Sequence, residues 1–386
     1  MLQAINAVSK HNVLLSSFAH MTLMQDTLPL CLEELTVCLV RSPPPRKRDS
    51  KRNRRTNVNR CKAITGILSR AANLNTLVTT IRGRCVGNLV DTIMTYNGET
   101  LRKLDIATWD GTFYFEADFN VREAIRLITS LDNLEELRWP PSKEPEKSEH
   151  LTLKAIFSRP KLKNLYMSKP TILGREGLSI LLNHKNHPQH FPVACAQSME
   201  CIRLKEWDEC HKLTNVIPFF NLFPNITTLH IEGIPKTKEI PPDDFGFRKP
   251  DVNGIMKEEE FNLPKVKHLY LSDLGKKPRN PIAHTFALLA PLQPTHLSVE
   301  YWAAMNVNVT RAGFAERQGI FKNVTKFSPP KYPIECHWKD EKMKAIEEIC
   351  KENNVEFDFK YPTPEQIKKH QTYGVWATQL GMLDDD

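Results

Sequence analysis

The stretch LDNLEELRW, Leu131 to Trp139, places Leu134, Leu137 and Trp139 in the pattern apolar-x-x-apolar-x-apolar. Side chains alternate faces along an extended chain, so this pattern predicts a short strand with Leu137 and Trp139 buried and Glu136 and Arg138 turned away. One such stretch decides nothing, since ordinary strands and helices produce it by chance. Recurrence decides. The pattern returns at Leu32-Leu35-Val37, Leu74-Leu77-Thr79, Leu101-Leu104-Ile106, Leu162-Leu165-Met167, Met199-Ile202-Leu204, Ile226-Leu229-Ile231 and Val266-Leu269-Leu271. Pro294-Leu297-Val299 is a weaker copy, and Val324 with Phe327 a partial tenth. Successive copies start 42, 27, 33, 28, 37, 27, 40, 28 and 30 residues apart.

Several copies also share their approach: LDNLEEL, RPKLKNL, FPNITTL and LPKVKHL each set a polar or turn residue just before the strand. Between strands lie helix-like runs, among them Val86–Tyr96, Val121–Ser130, Gly177–His184 and Leu213–Phe220. Asn97-Gly98, Asn133, Pro160, Pro224 and Pro264 stop them. A strand and a helix cannot bury their apolar faces alone. Stacked copies bury them together, as an α/β solenoid with a parallel sheet on one side and helices on the other.

On these motifs the chain resembles the leucine-rich repeat superfamily over about residues 30–330. It looks most like the irregular, long-repeat arrays of F-box substrate receptors and fungal F-box-like proteins. Regular members repeat every roughly 20–29 residues, so the longer spacings here imply insertions. The resemblance implies a horseshoe with a parallel concave sheet and outer helices. The ninth repeat position, usually Asn or Cys, holds Trp109, Trp207, Ile234 and Leu274 among others, so the usual asparagine ladder is not expected. The resemblance further implies a non-enzymatic scaffold that binds a protein partner on the concave face, with substrate recognition for a cullin–RING ubiquitin ligase as the family role and ligase subunits as partners.

The F-box itself is a separate matter. LPLCLEELTVCLV, Leu28 to Val40, opens with the Leu-Pro of such a module, yet a three-helix F-box would run into Pro43-Pro44-Pro45, which break helices. Leu32, Leu35 and Val37 are read instead as the first clear repeat. Residues 1–30 are then a flank or a degenerate repeat, with Asn12–Met24 a candidate strand, and no polar cap precedes the array. The array is expected to be a piece of a longer one, or to have its docking module encoded upstream. Residues 31–330 form the solenoid, and 331–386 a terminal repeat, cap and tail. In that last part Met343, Ile346 and Ile349 stripe a helix over Asp340–Glu352, Val355, Phe357 and Phe359 alternate as a strand, and Thr363-Pro364-Glu365 starts another helix.

Charge is concentrated in one place. Residues 41–60 hold nine Arg or Lys and one Asp, which accounts for the whole net charge of +8; elsewhere 44 basic residues face 44 acidic ones. A like-charged run with little apolar surface reads as a disordered loop inserted between repeats. Arg46, Lys47, Arg48, Lys51, Arg52, Arg54 and Arg55 also fit a nuclear-targeting signal that an importin would read. The alternative function follows from this run: a nuclear adaptor or nucleic-acid-associated factor. No aromatic interleaves the run, which argues against nucleic acid as a stacked partner.

The remaining signals exclude more than they assign. No run reaches the ~18 consecutive apolar residues of a membrane helix. The start MLQAINAVSK lacks a secretory pattern, and the nine cysteines form no C-x-x-C pair, so reduced thiols in the cytoplasm or nucleus are expected. His184, His187 and His190 with Cys195 and Cys201 have zinc-ligand chemistry, but Pro188 interrupts any helix that would present them together. Cys210-His211 lacks an orienting third group, and no P-loop, GxSxG, HExxH or GxGxxG occurs. No catalytic residue, cofactor or metal is expected.

The candidate site is therefore the concave face. In this register the third and fifth positions of each strand point away from the core. The fifth positions read Asp105, Arg138, Tyr166, Arg203, His230 and Tyr270; the third read Lys103, Glu136, Asn164, Cys201, Thr228 and His268. Arg and Tyr dominate binding hot spots because they join large contact area to hydrogen bonding.

Overall fold

Leu137, the centre of the opening stretch, is fully buried, as are Leu35, Leu77, Leu104, Leu165 and Ile202. In the computed structural model these six form one column, each the register partner of the next across parallel strands. The structure describes residues 12–15, 33–37, 62, 64–79, 86–106, 121–139, 146–168, 175–183, 186–205, 213–232, 260–272, 289–299, 307–317, 319–329 and 340–359. The chain divides into two compact units, Met1–Thr227 with Lys257–Lys265, and Thr228–Met256 with Val266–Asp386.

In the first unit, strands β1 (Asn12–Leu15), β2 (Glu34–Val37), β3 (Thr76–Thr79), β4 (Lys103–Asp105), β5 (Glu136–Trp139), β6 (Asn164–Ser168) and β7 (Cys201–Lys205) pair in chain order, all parallel. In the second, β8 (Thr228–Glu232), β9 (His268–Ser272), β10 (His296–Val299), β11 (Lys326–Ser328) and β12 (Glu356–Phe357) do the same. Parallel neighbours need a crossover between them, and helices supply it. Those of the first unit are α1 (Val86–Asn97), α2 (Val121–Thr129), α3 (Glu146–Phe157), α4 (Arg175–Leu181) and α5 (Leu213–Asn221); those of the second are α6 (Val307–Glu316) and α7 (Asp340–Glu352). Successive helices pack on one another, α1 on α2, α2 on α3, α4 on α5 and α6 on α7. Each unit is α/β with an all-parallel sheet, compatible with stacked repeats.

The core lies between sheet and helices. In the first unit Phe157, Phe219, Phe220, Phe223 and Phe261 form an aromatic cluster with ring centroids 5.3–6.0 Å apart. In the second, Phe314 meets Phe321 at 4.9 Å and Phe327 at 5.8 Å, both edge-on. The weaker copies at Pro294 and Val324 occupy β10 and β11, with Leu297, Val324 and Phe327 fully buried.

The repeats are stitched just ahead of the strands. One carbonyl per repeat accepts two consecutive amides of the next: Glu33 O from Asn75 and Thr76, Asn75 O from Arg102 and Lys103, Arg102 O from Glu135 and Glu136, and Glu135 O from Lys163 and Asn164. Lys267 O and Thr295 O do this in the second unit. Polar side chains add a parallel ladder. Asn133 Nδ2 donates to Glu99 O at 2.6 Å, and Lys161 Nζ donates to Asn133 Oδ1 at 2.6 Å. Asn225 stands likewise between Gln197 O at 2.7 Å and Lys265 Nζ at 2.6 Å. Asn133, read as a helix stopper, and Asn225, next to the stopper Pro224, thus join successive turns. The turns after the strands that hold Trp109, Trp207, Ile234 and Leu274 lie outside the described residues.

Some boundaries differ from expectation. The helix expected over Gly177–His184 is Arg175–Leu181, because Asn183 takes a left-handed conformation at φ 53° that ends it. The final strand expected over Val355, Phe357 and Phe359 is only Glu356–Phe357, which pairs with Lys326 and Phe327. The helix start at Thr363-Pro364-Glu365 and the basic segment 41–60, with Arg46, Lys47, Arg48, Lys51, Arg52, Arg54 and Arg55, lie outside the described residues. No helix of the described residues is long and apolar enough to cross a membrane.

Candidate interaction faces

Opposite the buried column, each sheet carries a polar face made of the third and fifth strand positions. In the first unit the third-position row runs Lys103, Glu136, Asn164, Cys201, and the fifth-position row Asp105, Arg138, Tyr166, Arg203, each residue beside its register partner. Neighbours pair across strands. Lys103 Nζ lies 2.7 Å from Glu136 Oε1, and Arg138 Nη1 donates to Asp105 Oδ2 at 3.4 Å. Burial pushes the Tyr166 hydroxyl up to about 12 and raises the Cys201 thiol, so neither ionises near neutral pH. One position earlier in the repeats, Glu135 takes Lys163 at 2.8 Å and Arg102 at 3.1 Å. The hydrogen bond from Lys163 holds the Glu135 carboxyl below its ordinary value.

The second unit's polar face is chemically different. Its third-position row is Thr228, His268, His296, Lys326, Glu356, and its fifth begins His230, Tyr270, Ser298, Ser328. His230 and Tyr270 have ring centroids 3.7 Å apart, and His230 is only 7% exposed, much less than its place on this row suggests. The imidazoles of His268 and His296 stack at 4.0 Å with planes 3° apart. His268 Nε2 lies 2.8 Å from Ser298 Oγ, and His296 Nε2 lies 2.7 Å from Ser328 Oγ and 3.2 Å from Ser298 Oγ. Ser328 Oγ donates to Asp358 Oδ2 at 3.3 Å. Lys326 Nζ holds Glu356 at 2.9 Å and Asp358 at 3.2 Å. Burial lowers His268 to about 4 and lowers His296 as well, so both rings are neutral at neutral pH.

The sequence-predicted residues thus fall into two sets. Lys103, Asp105, Glu136, Arg138, Tyr166 and Arg203 share the first unit's face; His230, His268 and Tyr270 share the second's. Sequence reasoning stopped at the eighth copy and missed His296, Ser298, Lys326, Ser328, Glu356 and Asp358. The same register carried two copies further reaches the first four directly, and the terminal strand and the residue after it supply the last two.

The histidine-rich stretch is tied to backbone. His190 Nδ1 lies 2.7 Å from Ile180 O, and His187 Nδ1 accepts the Gln189 amide at 3.2 Å. Cys195 is fully buried, and its thiol is pushed up to about 12 by that burial. Among the described residues no group of three His, Cys, Asp or Glu converges as a metal-binding set. His184, Cys210 and His211 lie outside them. No protein-family model matches this sequence, and no curated protein matches it.

Proposed function

We propose that this chain is a leucine-rich repeat scaffold, a horseshoe-type solenoid, that binds a protein partner through the polar face of its sheet, and that it serves substrate recognition for a cullin–RING ubiquitin ligase. The observation that carries the binding reading is the row Asp105, Arg138, Tyr166, Arg203, set side by side on paired strands opposite the buried leucine column. Adjacent strands lie about 4.8 Å apart, so four neighbours present a strip of about 14 Å. Two guanidinium groups flank a phenol there, a combination suited to a protein segment that offers a carboxylate beside an apolar side chain. The ion pairs along the strip contribute little to stability at partial exposure and more to orientation.

The test is affinity capture from cells, comparing the native chain with an Arg138→Glu, Arg203→Glu double variant of matching circular dichroism. Loss of a reproducible partner set from the variant, with ligase scaffold subunits in the native capture, supports the reading. Equal capture by both forms overturns the binding surface. Capture of a partner without ligase subunits overturns the ligase role alone.

A further inference from the structure

The second unit's polar face carries an ordered hydrogen-bond chain whose direction can be read from its ends. Ser328 spends its only hydrogen on Asp358, so it turns lone pairs toward His296 Nε2, 2.7 Å away. His296 therefore carries its hydrogen on Nε2. Ser298 Oγ lies 3.2 Å from this His296 Nε2, which cannot accept because it carries a hydrogen, and 2.8 Å from His268 Nε2, which therefore takes the hydrogen of the buried Ser298 hydroxyl. His268 then accepts at Nε2 and carries its own hydrogen on Nδ1. The network assigns opposite tautomers to two imidazoles stacked at 4.0 Å.

We propose that this chain, His268–Ser298–His296–Ser328–Asp358, is a proton-operated latch on the face of the second unit: it holds while His268 is neutral and opens when His268 takes a proton from solvent. A proton on Nε2 of His268 turns the acceptor into a donor. The hydroxyl of Ser298, a residue 5% exposed, must then abandon it and find another acceptor in a place where the Nε2 atoms of both imidazoles carry hydrogens. A buried hydroxyl left without an acceptor is costly. The new charge also faces the His296 ring 4.0 Å away, and beyond it the Lys326 ammonium, both of which oppose it. Glu356 on β12 and Asp358 just after it pair with Lys326 and favour a charge on His296 rather than on His268, and the Tyr270 and His230 rings on β9 and β8 bring no carboxylate. The charges that act on His268 therefore oppose a second cation there. A proton on His296, by contrast, goes to Nδ1 and leaves the chain intact, so His268 is the trigger. The burial that lowers His268 to about 4 agrees with this geometry. Release of a partner in acid follows only if this face binds one, which rests on the proposed function; the latch itself does not.

The latch is tested on the full chain with no partner present, by long-range proton–nitrogen NMR of the imidazoles, assigned with His268→Gln and His296→Gln. Near neutral pH the expected result is His268 protonated on Nδ1 and His296 on Nε2, with His268 titrating far below the ordinary range. Hydrogen exchange gives a second reading. Amides of β9 and β10 should lose about tenfold protection between about pH 7.5 and about pH 4, after correction for chemical exchange, and the His268→Gln chain should lose much less. His268 titrating near its ordinary value, the reverse tautomers, or an equal loss in His268→Gln overturns the proposal. The native NMR titration decides even if a variant misfolds.

Discussion

At the scale of single residues, buried polar groups carry more than their number suggests. Asn97 ends α1 fully buried and donates through Nδ2 to Ala71 O at 2.7 Å, across 26 residues of sequence. The sequence offered it as a helix stopper beside Gly98, which it is, but its second role needs the preceding repeat in place. Truncating it removes this bond and leaves the Ala71 carbonyl with the Leu74 amide alone, at 3.2 Å. Asn97→Ala should therefore cost about 0.5–1.5 kcal/mol, read as a lowered urea midpoint at unchanged slope. A cost near zero would mean that Ala71 O finds water. The face residues behave differently. Arg138 and Asp105 were legible from strand alternation alone, and so was the row that holds Tyr166 and Arg203. His230 shows the limit of that logic: alternation gives its row, whereas its burial depends on Tyr270, a neighbour 40 positions away in the sequence.

At the scale of elements, the decisive contacts are those between a helix and the segment packed on it. Helix α6 shows it at Gly313, where an added Cβ would lie 2.4 Å from the Phe321 ring. Glycine in a helix interior normally costs about 0.5–1 kcal/mol relative to alanine. Here the ring is buried at 3% exposure against Phe314, so it has nowhere to go. Overpacking of this kind costs about 1–3 kcal/mol and outweighs the helix gain. Gly313→Ala is expected to lower the thermal midpoint, and pairing it with Phe321→Leu, which makes room, should recover part of the loss. A stabilised single variant would show that the close approach is relieved at no cost. Helix existence was readable from apolar periodicity, as at Val86–Asn97 and Leu213–Asn221. Helix ends were not, because Asn183 stops α4 through a backbone conformation that many sequences at that point could avoid.

At the scale of the whole molecule, titration links the two faces to stability, with separate pH windows. His268 has a folded value depressed from 6.5 to about 4, so the unfolded chain binds the extra proton between those values. Stability is full above about pH 6.5 and declines as pH falls toward 4. Glu135 and Asp358 are depressed by hydrogen bonds from Lys163 and Lys326, from ordinary values of 4.5 and 3.8, so their contribution is present above those values and is lost below them. Urea midpoints measured from neutral pH downward should fall in two stages, and His268→Gln should flatten the upper stage only. An unchanged upper stage in that variant would assign it to other groups. What the sequence by itself determined is the repeat: its period, its strands and which face of each strand is buried, because apolar spacing maps directly onto a backbone whose side chains alternate. What only the tertiary structure decided is what the exposed rows become. The ion pairs of Lys103 with Glu136 and Arg138 with Asp105, the ladder through Asn133 and Asn225, and the stacked pair His268–His296 all join residues 28–40 positions apart. Their partners are fixed by strand register, and register exists only once the repeats are stacked.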